Sequence, residues 1–168
     1  MSEAWETYYL MVGSSAAALI GLLFVVITLS GEIEPARAEG AQATFMTPTV
    51  FHFVIVFAIS AAAVAPELAP PLMGAATVVP AAIGLFFSVG ALARLSTGRI
   101  AAPHWTDYLF YGALPAGCYF WILGSGIGIA FDMAWADGSI AIGVLALLLL
   151  GIRDAWDLAT WLTYHKNG

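Results

Sequence analysis

Hydrophobic residues fall into five long stretches that contain no Asp, Glu, Lys or Arg. These stretches are residues 7–31, 40–66, 68–93, 108–131 and 138–152. A helix needs about 20 mostly apolar residues to cross a hydrocarbon core of about 30 Å. The pattern therefore predicts an all-α, polytopic membrane helical bundle in one domain, residues 1–168, with five spans at about residues 8–29, 48–66, 71–93, 107–131 and 138–156.

The fifth stretch is the shortest, with 15 charge-free residues against 24 to 27 in the other four. Arg153 can extend its side chain towards the headgroups, and Trp156 and Trp161 follow as interface residues, so we expect the helix to continue past residue 152. Residues 153–165 would then form an amphipathic end along the membrane surface. Four spans with a re-entrant fifth segment is the alternative.

Basic residues indicate how the bundle is oriented. With five spans, all of them fall on one side of the membrane, and they are Arg37, Arg94, Arg99, Arg153 and Lys166. Short cytoplasmic loops carry the excess of Lys and Arg in membrane proteins. We therefore predict that the N-terminus lies outside and the C-terminus in the cytoplasm.

The composition agrees with a lipid bilayer as the surroundings. Hydrophobic residues make up 61% of the chain and charged residues 10%, where a soluble domain has about 25% charged residues. The net charge is −6 and only five residues are basic. Nucleic acid is excluded as a partner, because phosphate binding requires clustered Lys and Arg.

The side predicted to face outwards carries acids and no basic residue. These acids are Glu3, Glu6, Glu67, Asp132 and Asp137. Their negative potential would concentrate cations at any opening on that side. Acids of ordinary solvated loops are the alternative interpretation.

Small residues recur at positions where one helix can approach another. They are Gly13, Ala17 and Gly21 in the first span, Gly84 in the third, and Gly124 and Gly128 in the fourth. Helices in lipid associate through close packing at small residues. We expect these six residues to pack helices together, within the chain or between copies of it.

A few polar residues and prolines interrupt the apolar spans. Pro80 and Pro115 should bend their helices, and Tyr119 should point its hydroxyl into the bundle. His52 is the strongest single candidate, because an ionisable group within a span is costly and histidine titrates near neutral pH. The alternative is a structural histidine bonded to a hydroxyl such as that of Ser88.

Motifs for catalysis, metals or cofactors are absent from the sequence. There is no HExxH, GxSxG or Walker pattern, and the three histidines and one cysteine lack ligand-type spacing. His104 and Asp107 lie within one turn, where a helix cap is favoured over a metal site. We therefore predict a protein that is not an enzyme and has neither cofactor nor metal.

The opening segment, W..YYLMVG..AAALIGLLFVVITL, resembles the start of many small bacterial membrane proteins of unknown function. The resemblance covers the first span. It implies a bacterial inner, or cytoplasmic, membrane as the location and implies no activity.

Two functions fit these features. The first is a homo-oligomeric pore or pathway for small solutes and cations along spans two, three and four. Its candidate residues are Glu67, Asp132 and Asp137 at the outer entrance, and His52, Ser88 and Tyr119 further in. The alternative is a non-catalytic accessory or assembly subunit of a larger membrane complex, which the absence of chemical motifs favours.

Overall fold

The computed structural model describes residues 3–29, 47–66, 68–96 and 104–165. Five helices account for most of this part of the chain: α1 (Glu3–Leu29), α2 (Thr47–Val64), α3 (Pro70–Ser96), α4 (Trp105–Ala130) and α5 (Ala136–His165). No strand occurs within the described ranges. The all-α class predicted from the sequence is confirmed. Several residues named above lie outside the described residues, namely Arg37, Glu67, Arg99 and Lys166, together with the side chains of Glu3 and Trp161.

Four of the five described helices are long and apolar enough to cross a membrane. Their spans are Trp5–Val26, Pro70–Ser96, Trp105–Ala130 and Ala136–Thr160. The fifth predicted span is one of these, since α5 runs without a break for 30 residues. An unbroken helix of this length favours a full crossing over the re-entrant alternative. The shorter apolar helix is α2, of which Thr49–Val64 is the apolar part.

Consecutive helices run antiparallel, as the pairs of residues in contact show. Gly13 of α1 lies against Ser60 of α2 near one end of the bundle, and the rings of Phe51 in α2 and Phe87 in α3 are 4.7 Å apart near the other. We call the end where α1 finishes and α2 begins the inner end, and the opposite end the outer end. By the charge pattern the inner end is cytoplasmic, and this orientation stays a prediction.

The core lies between two closely packed helix pairs, α1 with α2 and α3 with α4. Helix α5 packs against α2 and α4. Close approach depends on glycine at several crossings, because a Cβ on Gly74 would overlap Ala130 and one on Gly126 would crowd Thr77. The fully buried apolar side chains include Tyr9, Val12, Phe53, Val56, Ile59, Ile122, Ile140, Val144 and Leu147. Small residues thus let large ones interlock, as expected for helices in lipid.

Helix α4 changes its winding before Pro115. Its first turn, Trp105–Tyr108, leads into a π-helical turn, Leu109–Ala113, and the α-helix resumes at Leu114. The Leu114 N–H donates to the Leu109 carbonyl, five residues back. Pro115 lacks an N–H, so a wider turn just before it avoids the clash that a regular α-helical ladder would produce.

Candidate functional site

Three polar side chains from three helices meet in the inner half of the bundle. They are His52 of α2, Tyr119 of α4 and Asp154 of α5, and none is more than 3% exposed. His52 Nδ1 lies 2.6 Å from the Tyr119 hydroxyl, and His52 Nε2 lies 4.0 Å from Asp154 Oδ2. We call these three residues the inner cluster. They form a line of ionisable groups across the bundle.

The position of Tyr119 depends on Gly84 of α3. A Cβ on Gly84 would overlap the Tyr119 ring, so only glycine lets the ring lie flat against that helix and reach His52. The Gly84 carbonyl accepts a 2.9 Å hydrogen bond from the Ser88 hydroxyl, four residues along the same helix. The sequence offered Ser88 as a partner for His52, whereas the structure pairs His52 with Tyr119.

The carboxylate of Asp154 is held on one side only. Its Oδ1 accepts a 3.1 Å hydrogen bond from Arg153 Nη1. Its Oδ2 is buried, has no hydrogen-bond partner among the described residues, and faces the His52 ring. Buried polar atoms are nearly always hydrogen-bonded in folded proteins. This oxygen is therefore the least satisfied polar atom of the cluster.

Arg153 connects the cluster to the surface at the inner end. Its guanidinium also pairs with Asp157 Oδ2 at 2.8 Å, and the two side chains are 35% and 41% exposed. The same guanidinium lies 3.6 Å from the centre of the Phe110 ring in the π-helical turn. The Tyr111 hydroxyl donates to Asp157 Oδ2 over 3.5 Å. Asp154 is thus one side chain away from the exposed surface of the bundle.

Sequence reasoning missed Asp154, because it follows the end of the charge-free stretch and was assigned to the amphipathic end of α5. Its position in the helix carried the signal. The buried residues of α5 recur at intervals of three and four, at Ile140, Val144, Leu147, Gly151, Asp154 and Leu158. Continuing that period past residue 152 places Asp154 on the core face.

The two outer candidates that the structure describes, Asp132 and Asp137, do not reach the inner cluster. Asp132 is exposed, with a φ of 54°, in the turn after α4, and Asp137 is half-buried in the first turn of α5. Between them and His52 lies apolar core, including Val56, Ile59 and Ile122. Ser60 lies eight residues from His52 on α2, or about 12 Å along the axis.

The six predicted packing residues fall into two groups. Gly13, Gly84 and Gly128 face other parts of the chain, since added Cβ atoms would crowd Ser60, Tyr119 and Trp135 respectively. Ala17, Gly21 and Gly124 are exposed. No described atom lies within 4 Å of a Cβ built on Gly21 or Gly124. These three therefore face away from the bundle.

His104 caps the start of α4. Its ring Nδ1 accepts from the backbone N–H of Thr106, and its backbone N–H donates to Asp107 Oδ2 over 3.0 Å. Together these bonds form a reciprocal capping box. Within the part of the chain that the structure describes, no group of three or more His, Cys, Asp or Glu is arranged to hold a metal ion. The cap accounts for both residues.

Comparisons with known protein families, with characterised proteins and with solved structures find no match. The class of the protein therefore rests on its own features. Large apolar side chains cover its outside, among them Phe86 at 75% exposure and Phe120 at 73%, and four described helices are long enough to span a bilayer. The protein is an integral, multi-pass membrane protein.

Proposed function

We propose that the protein is a pathway for cations across the membrane and that the inner cluster is its cation-handling site. The observation that carries this proposal is the orientation of Asp154. Its free carboxylate oxygen, without a hydrogen bond to any described group, faces a histidine nitrogen 4.0 Å away inside a membrane span. Ionisable groups at such depth are costly, so they are retained chiefly for ion or proton pathways.

The structure supports a state that is closed towards the outside. Apart from the hydroxyls of Ser60 and Ser125, the buried side chains of α2, α4 and α5 in the outer half are apolar, while Arg153 and Asp157 reach the surface at the inner end. Passage therefore requires the helices to move. The two helices that contain Pro80 and Pro115 are the natural places for this movement, because prolines and π-helical turns locally relax the hydrogen-bond ladder.

Flux from liposomes that contain the purified protein tests this proposal. We expect flux under a cation gradient and none under an anion gradient, and His52→Ala should reduce the cation flux at least tenfold. Phe53→Leu is the matched control, since it alters a buried ring next to His52 without removing an ionisable group. Absence of cation flux from the wild-type protein would overturn the proposal.

We also propose that the protein works as a homo-oligomer. Gly21 and Gly124 face outwards with open space around them, which leaves room for a helix of another copy. Gly21→Leu or Gly124→Leu should shift the assembly towards monomers in native mass spectrometry from mild detergent. A wild-type monomer would contradict this prediction.

An accessory subunit of a larger complex is the second candidate. Two apolar grooves are compatible with it, one of about 360 Å³ between α1 and α2 and one of about 310 Å³ between α4 and α5. Grooves of this kind suit a helix of a different protein as well as one of a second copy. Co-purification of other membrane subunits with a monomer that shows no flux would favour this alternative.

A further inference from the structure

We infer that the cation is the proton, and that it passes from the His52 ring to the free oxygen of Asp154. This inference rests on the proposed function and names the substrate of the same site. It follows from the number of ligand atoms that the inner cluster offers and from the position of a fixed positive charge beside it.

The inner cluster offers too few free ligand atoms for a metal cation. His52 Nδ1 and the Tyr119 hydroxyl are 2.6 Å apart and satisfy each other. This leaves His52 Nε2 and Asp154 Oδ2 facing one another. Magnesium and calcium take about six to eight oxygen ligands, whereas a proton needs one acceptor at a time. The geometry therefore selects the proton.

Arg153 adds an electrostatic barrier to metal cations. Its guanidinium lies 3.1 Å from Asp154 Oδ1, on the same carboxylate that a metal ion would have to approach. A fixed positive charge there repels a metal cation, because the metal keeps its charge when it binds. Fixed charges exclude cations in the same way in selective membrane pores. A proton that joins the carboxylate forms a covalent O–H bond and leaves a neutral group beside Arg153.

The transfer itself conserves atoms and charge. A proton that binds Nε2 of a neutral His52 ring carrying hydrogen on Nδ1 gives an imidazolium with hydrogen on both nitrogens. Its Nε2–H bond then breaks and an O–H bond forms on Asp154 Oδ2, which yields a neutral imidazole and a neutral carboxylic acid. The gap of 4.0 Å is too long for a hydrogen bond, so the two groups must approach or share a bridging water first. Release of the proton to inner water restores the carboxylate beside Arg153.

Tyr119 is a positioning residue in this scheme. Its hydroxyl accepts from Nδ1–H of both the neutral ring and the imidazolium, so it holds Nε2 towards Asp154 in both states. The titratable and charged groups that surround the path are Tyr119 from α4, Asp154, Arg153 and Asp157 from α5, and Tyr111 from the π-helical turn.

Two flux measurements on the same liposomes test the inference. One follows internal pH under a pH gradient with a membrane potential, and the other follows K⁺ under a K⁺ gradient. We expect proton flux at least tenfold above protein-free liposomes and K⁺ flux equal to theirs. Asp154→Asn keeps the shape of the side chain and His52→Gln keeps a polar amide in place of the ring, but neither can relay a proton in this way, so each should lower proton flux at least tenfold.

Tyrosine variants separate positioning from general damage. Tyr119→Phe should lower the flux and shift its pH dependence, because His52 loses the partner of Nδ1. Tyr8→Phe is the matched control, since its hydroxyl donates to the Ala141 carbonyl, away from the inner cluster. Its flux and pH dependence should equal those of the wild type.

The possible failures are distinguishable. K⁺ flux without proton flux would overturn the proton inference and leave a cation pathway in place. Proton flux that survives both Asp154→Asn and His52→Gln, in variants that keep the wild-type elution volume, would overturn the assigned relay. Absence of flux for either ion would overturn the pathway and the inference together.

Discussion

The inner and outer halves of the bundle handle buried polar groups differently. The inner half buries a histidine and a carboxylate and supplies Arg153 and Tyr119 as partners. The outer half buries hydroxyls, of which those of Tyr9 and Ser60 lack a hydrogen-bond partner in the described structure. An unpaired charge costs far more than an unpaired hydroxyl. Among the described residues, the buried histidine and the buried carboxylate therefore lie in the half where an arginine connects them to the surface.

Of the substitutions that test this difference between the halves, removal of Arg153 should lower the stability of the protein the most. Arg153→Leu leaves the buried Asp154 carboxylate without its cation and should lower the free energy of unfolding by about 3 kcal/mol, the low end for a broken buried pair because Arg153 is partly exposed. Denaturation in detergent micelles measures the loss. Arg153→Lys, which keeps the charge, should cost less than half as much.

A double variant sharpens this prediction. In Arg153→Leu combined with Asp154→Leu, no buried charge remains unpaired, and Asp157, which also loses Arg153, is 41% exposed, so most of the lost stability should return. If Arg153→Leu alone is as stable as Arg153→Lys, the stability of the inner half does not depend on the pair of Arg153 and Asp154. The proposed difference between the two halves would then be wrong.

Overpacking at Gly84 should have the next largest effect. Gly84→Ala forces the Tyr119 ring away from α3 and so from His52, and should cost about 2 kcal/mol, as extra methyl groups in tight cores do. Thermal unfolding in detergent measures it. Gly90→Ala on the same helix is the control, since no described atom lies within 4 Å of the added Cβ. Equal stability of the two variants would contradict the close contact of Gly84 with Tyr119.

Hydroxyls of the outer half should show the smallest effects. Ser125→Ala removes an Oγ that bonds both the Trp121 carbonyl and the Ser139 hydroxyl, and should cost about 1 kcal/mol. Ser60→Ala removes an Oγ that bonds nothing described and should change stability by less than about 0.5 kcal/mol. The two variants are compared in the same unfolding assay. A larger loss for Ser60→Ala would show that its hydroxyl has a partner.

The sequence predicted the all-α class and the presence of five helices, because the length and all-round hydrophobicity of the stretches determine these features. It also selected His52 and Tyr119 one by one, since each places a polar group inside a span. It missed their pairing. Which face of one helix meets which face of another depends on the relative rotation of the helices, and no single-helix pattern contains that rotation.

Asp154 shows why the inner cluster was only half predicted. A search for charge-free stretches ends a span at the first charged residue, which here is Arg153. The helix itself continues past Arg153. The Arg153 side chain points towards the surface, whereas Asp154 lies on the buried face of the same helix. Helical period, rather than charge count, distinguishes neighbouring residues with such different surroundings.

In the proposed relay, Asp154 takes up and releases a proton inside the bundle. Infrared difference spectroscopy of the lipid-reconstituted protein, recorded while the pH is changed, detects this step, because a buried carboxyl group gives a C=O band only when it is protonated. We expect a pH-dependent carboxyl band that disappears in Asp154→Asn and persists in Glu6→Gln, which removes an exposed acid at the outer end. A spectrum without such a band, or a band that Asp154→Asn leaves unchanged, would show that Asp154 does not carry the proton.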